Sequence, residues 1–130
     1  MTLNDIKDWL KPLITDVSMA YIGRTDPKIE KAICIYGRSG EGSKIAIGGL
    51  ENTSSAVKGI TILVQWTKYC DPSEVKAQNI YNIFKGTQAT ISNHECFFNM
   101  KNDEPVPVGV NDNDIYEYVI DLDIIVKEGW

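Results

Sequence analysis

The chain has 130 residues, 43% of them hydrophobic and 24% charged; this is the make-up of one compact globular domain and excludes a disordered tail, a collagen-like fibre and a disulfide scaffold. With 13 Lys/Arg against 18 Asp/Glu the net charge is −5, which excludes phosphate binding by a broad basic stripe. No run reaches the roughly 18 apolar residues of a membrane-spanning helix, and Asn4, Asp5 and Asp8 stand where a secretory leader would begin with basic charge, so a soluble protein retained in the cell is expected.

In chain order, Ile6, Trp9, Leu10, Leu13 and Ile14 recur at helical spacing and predict an amphipathic helix. Thr2 can cap its start, and Pro12 should stop or kink it between Lys11 and Leu13. Met19 to Arg24 reads as a strand closed by a Thr25-Asp26-Pro27 turn. Ala32 to Tyr36 is apolar on both faces and suits the interior of a sheet. Gly37 to Ser43 reads as a glycine-rich loop, Lys44 to Ile47 as a short strand and Gly48 to Ala56 as a polar connection. Lys58 to Lys68 alternates, with Ile60, Ile62, Val64 and Trp66 on one face and Thr61, Gln65 and Thr67 on a wet one.

A helix over 72–85 follows, with Asp71 as N-cap, Pro72 in first position, a stripe of Ala77, Ile80, Tyr81 and Phe84 widened by Val75 and Ile83, and Gly86 as its stop. Gln88 to Ser92 and Glu95 to Met100 are weaker strands. Lys101 to Asp114 reads as a polar loop. Ile115 to Lys127 reads as a long final strand, about 40 Å at 3.3 Å per residue. Its even-numbered residues face the core, and Asp121 and Asp123 belong to an exposed face, where they would discourage edge pairing. The expected core gathers Trp9, Leu10 and Leu13 with Ile60, Ile62, Val64, Ile80, Phe84, Ile120, Leu122 and Ile124. The fold class expected is α+β, a two-layer sandwich of a mostly antiparallel mixed sheet with two helices packed on one face, as a single domain over 1–130.

The motifs that resemble chemistry each fail on spacing. Gly37 to Lys44 is glycine-rich after a strand, but Ser43 and Lys44 reverse the order of a phosphate-binding loop, and a strand rather than a helix follows. His94 and Cys96 share a strand face without an orienting third group. Asp112 and Asp114 lack the glycine and glutamate of a calcium loop. Cys34, Cys70 and Cys96 contain no C-x-x-C pair and are expected as reduced, mostly buried thiols. These readings predict a non-enzymatic protein without cofactor or metal. Arg38, Lys44, Asp112 and Asp114 remain as candidate partner contacts.

Taken together, the opening helix from Ile6 to Leu13, the alternating strand from Gly59 to Thr67 running into Asp71-Pro72-Ser73-Glu74 with Ala77, Ile80, Tyr81 and Phe84, and the closing strand from Tyr116 to Val126 resemble the tail-terminator, or tail-completion, minor capsid proteins of long-tailed bacteriophages. The resemblance spans nearly the whole chain and carries no invariant functional residue. It implies a virion protein at the head-proximal end of the tail, assembled in the host cytoplasm as a hexameric ring. That ring would cap the tail tube, end its polymerisation and offer a surface to the head–tail connector. DNA would only pass through the channel, and no membrane is involved. The last thirty residues hold 2 basic and 8 acidic groups, net −6, which suits a wall that DNA must pass without sticking.

Three other readings of the residues stay open. One is a neighbouring connector or stopper protein of the same joint. Another is a small non-catalytic ligand-binding α+β domain, which would be monomeric or dimeric around a closed apolar pocket. The third is an enzyme, which would need a convergent polar cluster that the sequence does not display.

Overall fold

A computed structural model describes residues 1–38 and 55–127. Helix α1 spans Leu3–Leu10 and passes into a 3-10 turn over Lys11–Leu13. Its start is a capping box: the Asp5 backbone N–H donates to Thr2 Oγ1 at 3.1 Å, and the Thr2 backbone N–H donates to Asp5 Oδ2 at 2.9 Å. Pro12 stands in the 3-10 turn, where its missing N–H ends the α-helical ladder. Leu13 consequently rotates off the apolar stripe and is 48% exposed rather than buried, while Ile14 beyond it enters the core. Trp9 is only partly buried; it stacks on Phe98 at 5.5 Å and meets Phe84 at 5.8 Å between ring centres.

The strands are β1 (Met19–Ile22), β2 (Ala32–Arg38), β3 (Ser55–Gln65), β4 (Gln88–Ile91), β5 (His94–Met100), β6 (Val106–Val110) and β7 (Tyr116–Lys127), with helix α2 (Cys70–Phe84) between β3 and β4. They form one mixed sheet in the order β1-β2-β3-β7-β5-β4, curled into a half-barrel. Among the described residues only β1 and β2 run parallel. β7 is the spine of the sheet. One of its sides pairs with β3 along Ser55 to Gln65; the other is shared, with β5 taking Leu122 to Lys127 and β6 taking Tyr116 to Val119.

The expected α+β sandwich with both helices on one face is what forms. In-register rows such as Ile35–Ile62–Ile120 put one apolar face inward, and these residues are buried with Ile6, Leu10, Ile80, Phe84 and Leu122. α1 touches β1, β2 and β4, strands from opposite margins of the sheet, and α2 packs on β7. The helices therefore fill the concave side.

Several boundaries differ from the sequence reading for physical reasons. Gly37 and Arg38 extend β2 instead of opening a loop, because β3 begins at Ser55 and supplies partners as far as Arg38↔Gly59. β1 stops at Ile22, where Gly23 takes φ 73°. The N-cap of α2 is Tyr69, not Asp71, which lies in the first turn. Ser73 is buried there; its hydroxyl donates to Tyr69 O at 2.7 Å and accepts from the Thr67 N–H at 3.2 Å, fixing the entry to the helix. Val75 points outward at 59% exposure and does not widen the stripe. The β4–β5 hairpin turns at Ser92-Asn93, both with positive φ as a type I′ turn requires. The segment read as a polar loop from Lys101 to Asp114 contains β6, whose Pro107 is tolerated because β6 is a margin strand. The strand read at Lys44 to Ile47 lies outside the described residues.

Candidate functional site

On the convex face, the odd-numbered side of β7 is not the wet surface that alternation suggests. Asp123 is 1% exposed. Because β7 is central, the carboxylate sits mid-sheet, and charge there must be compensated. Arg38 Nη2 reaches Asp123 Oδ1 at 2.9 Å, and Lys101 Nζ reaches Oδ2 at 3.1 Å. Arg38 pairs with Gly59, and Gly59 with Asp123, in adjacent strands; the missing side chain at Gly59 lets the guanidinium cross β3. Asp121 is half-buried and accepts from Thr61 Oγ1 at 2.5 Å. Both aspartates are thus structural partners of neighbouring strands rather than exposed charges on a free margin.

Farther along the same face, the β1–β2 crossover over residues 23–31 lies against the sheet. Gln65 is fully buried beneath it, and its amide donates to Asp26 O at 2.7 Å and Ile29 O at 2.6 Å. Gln65 was expected on a wet face, and the crossover explains its burial. Burial pushes the Cys34 thiol up and pushes the Tyr36 hydroxyl up to about 12, the latter with further contributions from Cys34 and Glu117.

The sequence-singled residues do not converge. Arg38 is committed to Asp123 at one end of β7. Asp112 and Asp114 are exposed at the other end, in the β6–β7 turn. Asn111 Oδ1 caps that turn by accepting from the Asn113 and Ile115 N–H groups, and Asp114 has φ 63°. Residues 39–44, with Lys44 and most of the glycine-rich segment, lie outside the described residues. His94 and Cys96 do share one face of β5, and Cys96 Sγ donates to His94 O at 3.4 Å. Burial raises the Cys96 thiol, the opposite of what an activated nucleophile needs. Cys34 and Cys96 are buried, whereas Cys70 is exposed. Among the described residues no three His, Cys, Asp or Glu side chains gather to hold a metal ion.

What the sequence reading missed lies at the margins. β6 turns Val106, Val108 and Val110 outward at 37%, 57% and 54% exposure. A bulge between Pro107 and Gly109 breaks its register against β7. Beside it, between α2 and β6, opens a cleft of about 230 Å³ lined by Glu74, Gln78, Glu104, Pro105, Pro107 and Tyr118. Tyr118 is buried, and that burial raises its hydroxyl pKa, with Cys70 and Glu74 adding to the effect. At the opposite margin of the sheet β1 exposes Met19 and Ile22. The Val-x-Val-x-Val alternation at 106–110 is the signal in the sequence that could have found β6.

Comparison with models of known protein families finds no match, and comparison with curated proteins finds none either.

Proposed function

We propose that this chain is a structural virion protein of the tail-terminator type, closing as a ring on the end of a phage tail tube and presenting the joining surface for the head connector. The observation that supports this reading best is that two unlike margins of one sheet, β1 and β6, stand open among the described residues. β1 exposes Met19 and Ile22, and β6 exposes three valines. Strand margins that carry exposed apolar side chains are a liability for a free monomer. Two unlike patches on one chain suit a head-to-tail contact, which yields a ring if its rotation closes and a fibre if it does not. A protein whose task is to end a polymer needs the closed outcome. The acidic charge of the C-terminal third fits a channel wall for passing DNA.

The test is to add purified protein to polymerising tail tubes and measure tube length and end occupancy by electron microscopy. Shortened tubes with a ring at one end are expected. Tubes that elongate as before with bare ends would overturn the assignment, and rings found on the connector alone would move the protein to the neighbouring stopper position.

A further inference from the structure

The β1–β2 crossover over residues 23–31 differs in kind from the layer it covers. None of its residues is buried, and only Thr25 and Ile29 are half-buried. Beneath it Ala32, Cys34 and Gln65 are each 0% exposed. Ala32 and Cys34 lie outside the apolar cluster between sheet and helices, to which their strand neighbours Ile33 and Ile35 belong. Their partners Gln65 and Leu63 share that convex face. The Arg24 backbone hydrogen-bonds the Cys34 thiol, so the crossover itself shuts this thiol away from water.

Hydrogen bonds hold the crossover down. Gln65 Nε2 donates to Asp26 O and Ile29 O, and Ser18 Oγ donates to Glu30 O at 2.8 Å. On the far side, Pro27 O accepts from Asn111 Nδ2 and Asn113 Nδ2, each at 3.0 Å. Bonds of this kind are exchanged for bonds to water at small net cost, whereas apolar burial under the helices is not. A segment that buries so little apolar surface opens at a lower free energy than the core.

We propose that residues 23–31 form a latch that lifts as a unit, baring Cys34 and Gln65 while the helix-covered core stays closed. Its clasp is Pro27 O. Both asparagines that grip it belong to the β6–β7 turn with the exposed Asp112 and Asp114, so displacing that turn loosens the latch. Lifting also lengthens an apolar row. Cys34, Leu63, Val119 and Val106 stand side by side in β2, β3, β7 and β6. Leu63 and Val119 are half-buried and Val106 is exposed already, so the latch sets how much of the row meets solvent.

The three cysteines report this motion, since Cys70 is exposed, Cys34 lies under the latch and Cys96 lies in the core. The test labels the full chain carrying Cys70→Ser with iodoacetamide in native buffer and follows each thiol by peptide mass. Cys34 should react at least about tenfold faster than Cys96, because a local opening is more populated than a global one. Asn113→Ala and Asn111→Asp each remove a donor to Pro27, the latter keeping the Oδ1 that caps the turn. Each should speed Cys34 labelling about threefold to tenfold, the equivalent of one net hydrogen bond, and leave Cys96 unchanged. A second measurement needs no thiol: exchange of the Gln65 side-chain amide protons, followed by NMR, should rise by the same factor in the same variants. Equal labelling of Cys34 and Cys96 would overturn the latch. So would variants that leave Cys34 and Gln65 unchanged, or that speed Cys96 as much as Cys34, because the crossover would then open only with the core.

Discussion

Replacing Arg38 with methionine tests whether the Asp123 cluster holds the convex face together. The substitution keeps a long apolar stem but removes the guanidinium that meets Asp123 Oδ1 at 2.9 Å and donates from Nε to Ile60 O at 3.3 Å. A hydrogen bond to a charged group contributes about 1.5–3 kcal/mol, and stranding a buried charge raises the loss toward about 3–5 kcal/mol. Lys101 remains on the other carboxylate oxygen, so the expected cost is about 2–4 kcal/mol. Asp123→Asn should cost less, about 1–3 kcal/mol, because the side chains of Arg38 and Lys101 are 26% and 25% exposed and can turn toward water once the carboxylate is gone. The double variant should be less destabilised than the two singles summed, by about 1–3 kcal/mol. Urea unfolding at two salt concentrations measures all three, and the coupling should persist at high salt because Asp123 is shielded from solvent. An Arg38→Met cost below about 0.5 kcal/mol, the range of ordinary surface substitutions, or strict additivity, would refute the idea that this cluster ties β2, β7 and the end of β5.

Ile62→Ala and Leu122→Ala, both fully buried, should each cost about 2–5 kcal/mol by urea unfolding, whereas Leu13→Ala, on a side chain 48% exposed, should cost far less. Thr2→Ala should cost about 1 kcal/mol by removing the cap of α1. Hydrogen bonding from the Thr2 backbone N–H lowers the Asp5 pKa, so its contribution is present above the ordinary carboxylate pKa and is lost as pH falls through the folded value; Asp5→Asn, which removes the titrating group, should flatten that part of the acid unfolding curve. The Tyr36 hydroxyl is raised to about 12, so the folded state holds its proton longer than the unfolded one. Stability should decline as pH rises from about 10 toward that value, and Tyr36→Phe should reduce the decline.

The elements legible from sequence were those whose local and tertiary demands agree. α1 carries a cap, an apolar stripe and a proline stop within its own residues, and the structure uses all three. β3 and β7 alternate because one face, with Ile60, Ile62 and Val64 of β3 beside Leu122, Ile120 and Tyr118 of β7, is buried in the core. β6 reads as a loop because Pro107 and Gly109, ordinarily loop residues, interrupt the valine alternation that marks it. It becomes a strand only because β5 leaves Tyr116 to Val119 of β7 unpaired, so that a margin strand with a bulge is the available way to satisfy that backbone.

The opposite face of β7 shows why alternation alone cannot separate solvent from a buried polar cluster. Period-two patterning states that Asp121 and Asp123 leave the helix-covered side, and they do. It carries no information on what lies across β3, yet Arg38 arrives there from β2 over the gap at Gly59, and Lys101 arrives from the end of β5. Gln65 is buried for the same kind of reason, since the crossover that covers it comes from residues 23–31, far away in sequence. Opposite charges converging on one carboxylate from two strands are a property of the sheet order β2-β3-β7-β5, which no window along the chain contains.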